Sequence, residues 1–153
     1  MAQTINTPML RPARDEDLGA VEQLLTGSGL PVDGVADALC TFIVAESEGQ
    51  IVGVVGLEIC SEHALLRSTA VAPEWRDRGL GRQLVERIIA EAEARNISAL
   101  YLLTTTAERY FPTFGFVKTT RDAVPEPVRS TGEFVSACPA SATVMCLDLG
   151  RVA

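Results

Sequence analysis

The chain has 153 residues, enough for one domain with a single core and too few for two independent units. Hydrophobic residues at 47% and charged residues at 22% exclude a disordered chain. Twenty acidic against thirteen basic residues give a net charge of -7, which excludes general binding to nucleic acid or to an anionic membrane, so any phosphate site has to be local.

The start "MAQTINTPMLRPARDED" lacks the apolar core of a signal peptide, and nowhere do eighteen apolar residues run together; the expected location is cytoplasmic. After a short first strand, "RDEDLGAVEQLLTGSGLP" sets Leu18, Val21, Leu24 and Leu25 on one helical face, with Asp15 as the expected N-cap. "VDGVADAL" predicts a second, shorter helix. The β-branched runs "TFIVAES" and "QIVGVVGLEIC", separated by "EG", predict an antiparallel hairpin, and "HALLRSTAV" a further strand ended by Pro73. From Gly79 onward Leu80, Leu84, Val85, Ile88, Ile89 and Ala92 form a helical stripe opposite Arg82, Glu86, Arg87 and Glu91. "ISALYLLTTT" follows as a central strand, apolar on both faces, which makes strand, helix and strand a parallel crossover.

"AERYFPTFGF" predicts a short helix ending before Gly115, and "FGFVKTTR" a strand. Thr120 to Ala142 is the least regular stretch, with three prolines and a short helix expected from Thr131; connections of that length often shape a site. "ATVMCLDL" closes the chain as a strand. The order predicts an α/β fold: a mixed sheet with helices on its faces. Cys40, Cys60, Cys138 and Cys146 are scattered without a CxxC pair, and His63 is the single histidine. No metal is expected, and the thiols read as reduced, small buried residues.

The chemistry centres on "RDRGLG". A helix start offers unpartnered N–H groups and partial positive charge, the two glycines let an anion approach the backbone, and Arg76, Arg78 and Arg82 add charge-assisted contacts. The spacing fits neither a P-loop nor the dinucleotide pattern GxGxxG. Taken alone, it is equally an ordinary helix start.

"AVAPEWRDRGLGRQLV" resembles the acyl-CoA binding motif of the GNAT superfamily of N-acetyltransferases, with Arg76, Gly79 and Gly81 at its fixed positions. The strand before it, the strand "ALYLLTT" after its helix and the later "YFPTFGF" extend the resemblance over about Pro8 to Leu149. The resemblance implies a mixed, mostly antiparallel sheet splayed at a parallel strand pair and flanked by helices, with acetyl-CoA as cosubstrate and direct acetyl transfer to an amine. It implies that the backbone of Arg76, Asp77, Arg78, Gly79, Leu80 and Gly81, with Arg82, holds the pyrophosphate. Thr69, Ala70 and Val71 would run beside the pantetheine arm, Val71 pairing its backbone with it, and Thr105 and Phe111 would complete the donor side.

Family members place a tyrosine four residues before the glycine of "GF"; counting back from Gly115 lands on Phe111, so this chain is expected to lack that acid, with Tyr110 pointing elsewhere unless Pro112 shifts the helix. Glu58 is the expected base for the acceptor ammonium. Its alternative is a solvent-facing glutamate on an alternating strand.

"ALLRSTAVAP", "LYLLTTTAERYFPTFGF" and "CPASA" look most like small GNAT proteins associated with bacterial arsenic-resistance operons, relatives of which acetylate phosphinothricin-like or arsinothricin-like amino acids. Such an acceptor needs arginine for its acids. Arg67, Arg109, Arg121 and Arg129 are the candidates, against surface solvation as the commoner fate of any single arginine. Ser68, Thr104, Cys138 and Ser141 are further acceptor contacts, with a proline-set turn an equal account of Cys138 to Ser141. Thr104, Thr105 and Thr106 lie at the mouth of the strand, at least one of them expected to cap the helix near Ala107. The reading carries no nucleic-acid or membrane partner and allows a homodimer. Two alternatives stay open: an acyl-CoA sensor without catalysis, and acetylation of a protein amine.

Overall fold

The two β-branched runs on either side of Glu48 and Gly49 fold as the hairpin of β2 (Ile43–Ser47) and β3 (Gln50–Cys60). Ser47 faces Gln50 across a two-residue turn in which Glu48 (φ 50°) and Gly49 (φ 79°) both take positive φ, the twist that suits a tight hairpin. This computed structural model describes residues 7–132, 134 and 142–150.

Around the hairpin the sheet grows to seven strands in the order β1-β2-β3-β4-β5-β7-β6. The others are β1 (Met9–Pro12), β4 (His63–Val71), β5 (Ala99–Thr104), β6 (Val117–Thr119) and β7 (Thr143–Asp148). β4 and β5 are the parallel pair; every other neighbouring pair is antiparallel. The parallel pairing follows from the crossover helix α3 (Leu80–Ala94) between those two strands.

α3 covers one face. Leu80, Leu84, Val85, Ile88 and Ala92 are buried there against Leu57, Leu66, Leu100 and Leu102, each large side chain worth about 2 kcal/mol of transfer free energy. The opposite face carries α1 (Leu18–Gly27) and α2 (Val35–Ala38), whose Val21, Leu25 and Val35 pack on Phe42, Val44, Val54 and Ala70. A third cluster joins Leu65, Tyr101 and Val144 of the sheet to Val124, Val128 and Phe134.

Several local expectations change. Asp15 caps nothing with its side chain. A 3-10 turn over Asp15–Asp17 precedes α1, and Asp17 instead accepts the Arg14 amide at 2.7 Å. Hydrogen bonds from Arg11 hold the Asp17 carboxyl below its ordinary range. The irregular stretch holds a helical turn that was not expected, α4 at Glu126–Arg129, where Pro125 and Pro127 fit a helix start whose N–H groups need no partner. At the helix expected from Thr131, Gly132 and Phe134 are helical, and residues 135–141 lie outside the described residues. "FPTF" is a 3-10 turn over Phe111–Phe114, closed by Gly115 at φ 103°. Among the cysteines, Cys60 is buried, Cys146 half-buried and Cys40 exposed, so Cys40 departs from the expected burial; Cys138 lies outside the described residues. Burial pushes the Cys60 thiol up to about 11, which leaves it protonated and inert at neutral pH.

Gly56 marks the tightest approach in the sheet: a Cβ there would fall 2.4 Å from the Phe42 ring. Gly56→Ala should therefore cost about 2 kcal/mol of unfolding free energy by overpacking, read from urea denaturation. The cost should shrink in a Phe42→Leu background, where the ring no longer occupies the space.

Candidate functional site

β4 pairs with β5 only through His63, Ala64 and Leu65, opposite Ala99, Leu100 and Tyr101. Beyond that point the two strands part. Opposite the gap β4 also bulges: Val54 faces Ala70 and Gly56 faces Arg67, so Val55 stands against both Ser68 and Thr69, and Ser68 takes φ 62°.

A cavity of about 240 Å³ fills the gap, walled by Leu66 to Thr69 of β4, by Leu102 to Thr104 of β5, and by Tyr110 and Phe111. Leu30 and Pro31, from the loop before α2, close it on the far side. Thr104 Oγ1 accepts the Ala107 amide at 2.9 Å, capping the turn after β5 while the residue still borders the cavity.

Arg67 is the charged residue of that wall, and its side chain is 0% exposed. Its Nε donates to Ser68 Oγ at 3.0 Å and its Nη1 to Glu58 Oε1 at 3.0 Å. A Cβ on Gly34, at the start of α2, would stand 3.3 Å from Nη1, so α2 packs directly on the guanidinium. Glu58 itself, with a side chain 24% exposed, stands behind Arg67 and outside the cavity wall.

A second cavity, about 460 Å³, lies at the N-terminus of α3. Val71, Trp75, Arg76, Asp77, Gly79, Leu80, Gly81, Arg82 and Tyr110 form it. Gly79 takes φ 82°, a conformation natural to glycine, and its carbonyl accepts the Gln83 amide at 3.1 Å. The helix thus begins at once, and the amides of Leu80, Gly81 and Arg82 have no partner within it. Arg76 Nε donates to the Val71 carbonyl at 3.1 Å. Arg82 stacks on Phe114 at 4.6 Å and donates to Thr113 Oγ1 at 3.1 Å, which ties the first turn of α3 to the "FPTF" turn. Arg78 stacks on Trp75 at 5.2 Å, outside the cavity wall.

Tyr110 borders both cavities, and its hydroxyl would lie 3.7 Å from a Cβ on Gly81. It does not point elsewhere: Tyr110 stands just before the 3-10 turn and borders the gap, while Phe111, the first residue of the turn and 8% exposed, sinks into the core beside Phe116. Counting back in α-helical steps misses this. Burial raises the Tyr110 phenol above its ordinary value, which keeps it protonated at neutral pH.

The remaining expected residues divide as follows. Ala70 turns its side chain into the core under α1 and α2. Thr105 is exposed and walls neither cavity. Arg129 stays at the surface, paired with Glu126 at 3.0 Å, since α4 holds it on its own outer face. Arg121 stacks on Phe134, and Arg109 lines a separate surface depression with Lys118. Cys138 and Ser141 lie outside the described residues. Trp75, Leu30 and Pro31 are walls that sequence reasoning missed, whereas Thr106, expected at the mouth of the strand, does border the gap cavity; Trp75, inside the quoted glycine motif, had the clearest signal. Among the described residues no group of three or more His, Cys, Asp or Glu side chains is placed to hold a metal, and no helix is long and apolar enough to cross a membrane.

A larger groove, about 700 Å³, opens between β1, α1 and the hairpin. Three of its charged groups satisfy one another: Arg11 bonds Asp17 and Glu46, each at 2.8 Å. It shares no wall with the other two cavities.

Comparison with known proteins returns the acetyltransferase (GNAT) domain family over residues 38–118, more than half of the chain. An amino-acid acetyltransferase of Pseudomonas syringae pv. tomato is 33% identical over 135 residues, 82% of this chain and 31% of that protein. One from Ralstonia nicotianae is 33% identical over 134 residues, 78% and 29% respectively. The chain therefore spans about a third of the length of these curated relatives. Among solved structures, Rv2747 from Mycobacterium tuberculosis, in complex with CoA and NLQ, superposes with a TM-score of 0.79 at 24% identity, covering 93% of this chain and 99% of that one. N-acetylglutamate synthase from Neisseria gonorrhoeae, complexed with coenzyme A and N-acetyl-glutamate, gives 0.81 at 22% identity, covering 97% and 36%.

The Arg67–Glu58 pair has a consequence for stability. Glu58→Ala deprives a buried guanidinium of a counter-charge and should cost about 3 kcal/mol in urea denaturation. Glu58→Gln retains an oxygen to accept from Nη1 and should lose less than half of that.

Proposed function

The chain belongs to the acetyltransferase (GNAT) domain family, and from that premise we propose that it transfers acetyl from acetyl-CoA to the amino group of a small amino acid bearing a second acid group. Phosphinothricin-like and arsinothricin-like amino acids are the acceptors that the sequence resemblance favours; glutamate has the same pattern of charges. The observation that carries the reading is Arg67, buried in the wall of the gap cavity and fixed by Glu58 and Ser68. A guanidinium held in place loses little entropy on binding a carboxylate or phosphinate, which gives such a ligand a defined anchor. Support also comes from the relatives, which are amino-acid acetyltransferases, and from a neighbour holding N-acetyl-glutamate.

The cavity at α3 suits the anionic end of acetyl-CoA: amides at a helix start, Gly79 in the turn, Gly81 leaving the approach clear, and Arg76 and Arg82 at the rim. The pantetheine arm would run along Val71 to the gap, where the thioester meets the acceptor. There the amine nitrogen attacks the carbonyl carbon, the C–S bond breaks, and its electron pair leaves on sulfur. The nitrogen gives up a proton through water to Glu58, which stands behind the wall. Tyr110, at the border of both cavities, supplies a proton to the departing thiolate and recovers one from solvent.

Incubation with acetyl-CoA and a panel of glutamate, phosphinothricin, monoacidic amino acids and peptides, read by thiol release, tests the proposal. Turnover should be fastest with the diacidic acceptors. Thiol release with peptides alone, or tight acetyl-CoA binding without release from any acceptor, overturns it.

Glu58→Gln should lower kcat about tenfold to a thousandfold, the range of a lost general base, and the loss should be greatest at low pH, where the amine is hardest to deprotonate. A parallel pH profile with raised acceptor KM would instead leave Glu58 only the task of holding Arg67.

A further inference from the structure

Thr69 sits on the bulged part of β4, in the wall of the gap cavity. Its Oγ1 is buried and, among the described residues, has no hydrogen-bond partner. A buried hydroxyl without a partner is a net cost to the folded state, because it has lost water and gained nothing. The fold does not require it: valine has the same shape, suits a strand equally well and carries no polar atom. Its neighbours behave differently, since Ser68 Oγ accepts from Arg67 and Thr104 Oγ1 accepts from Ala107.

Position says what could complete it. Thr69 lies two residues from Val71 toward the point where β4 and β5 meet, about 6.6 Å along an extended strand. In the reading proposed above, on which this inference rests, the pantetheine arm pairs with Val71 and continues into the gap by two methylenes and the sulfur. The thioester carbonyl then falls beside Thr69. The contact requires the staggered rotamer of Thr69 that turns its hydroxyl into the cavity whose wall the residue forms.

We infer that Thr69 Oγ1 donates a hydrogen bond to the thioester carbonyl oxygen and strengthens it as that oxygen becomes an oxyanion. Charge on the acceptor makes the bond stronger in the transition state than in the ground state, so the hydroxyl serves turnover more than binding.

The test compares the parent with Thr69→Val and Thr69→Ser by calorimetric titration with acetyl-CoA and with CoA, and by thermal melting without ligand. Thr69→Val should bind acetyl-CoA about fivefold more weakly, the effect of one neutral hydrogen bond, and bind CoA unchanged. It should also melt at a higher temperature than the parent, which a hydroxyl with a structural task would not allow. With the best acceptor its kcat should fall about tenfold to a hundredfold at unchanged acceptor KM, with Thr69→Ser recovering most of the loss.

Equal affinity changes for both ligands, no change for acetyl-CoA, or a lower melting temperature in Thr69→Val overturns the inference. A parent that binds acetyl-CoA but acetylates no acceptor refutes the proposed function and leaves the Thr69 contact to stand on the titrations. A parent that binds neither ligand refutes both.

Discussion

β4 and β5 are joined by only three residue pairs, and the opening beyond them is the feature to which the rest of the site answers. Parallel strands cannot be linked by a tight turn, so a crossover helix must separate them, and its N-terminus arrives at the end of β4 where the strands diverge. One topological requirement therefore places the amides of α3 and the gap in the sheet side by side. The bulge at Ser68 and Thr69 falls where β4 has already parted from β5, so this stretch of β4 backbone has no β5 partner across the gap. Tyr110, carried in by a 3-10 turn that Arg82 fastens to α3, stands where the two cavities meet.

A buried guanidinium is the second constraint. Removing such a charge from water costs several kcal/mol, and the pairing with Glu58 repays that only in part. A leucine at position 67 would satisfy the sheet at least as well, as its neighbours Leu65 and Leu66 do. Arg67 is thus a stability cost located in a cavity wall, and Thr69 is a smaller cost of the same kind two residues on. Both fall on the bulged segment of β4 and none on the longer β3, which concentrates the unfavourable polar burial where a ligand can offset it.

The strands, the hairpin and α3 were legible because their signals are local: β-branched runs, a Glu-Gly turn, and an apolar stripe repeating with the helix. The pairing of glycines with the α3 N-terminus was legible for the same reason. The gap was legible only through the family resemblance, as a splay of the parallel pair; no local signal gives its full lining, because the walls come from four segments whose convergence is set by the register of β3, β4 and β5. Arg67 and Arg129 look alike in sequence; one is sealed beneath α2 and the other lies on the outside of a short turn, a difference fixed by topology. Tyr110 and Phe111 show the same limit: the segment is a 3-10 turn that begins at Phe111, so a count in α-helical steps from Gly115 does not tell that Tyr110, just before the turn, borders both cavities.

The net charge of -7 conflicts with an anion site at α3 only if charge is taken as a property of the whole surface. At physiological ionic strength, fields from exposed groups decay over about 8 Å, so acidic residues elsewhere contribute little at the α3 cavity. What matters there is local: helix amides, which carry partial positive charge without a counter-ion, and arginines whose competing partners are few. Arg76 bonds a neutral carbonyl, while Arg82 shares its guanidinium among a ring, a hydroxyl and the exposed Glu86 at 3.5 Å. An exposed pair of that length contributes little and gives way readily to a phosphate. A net acidic chain is therefore compatible with a site for one small polyanion at one helix end, because the field there is set by the amides and arginines within a few ångströms of it.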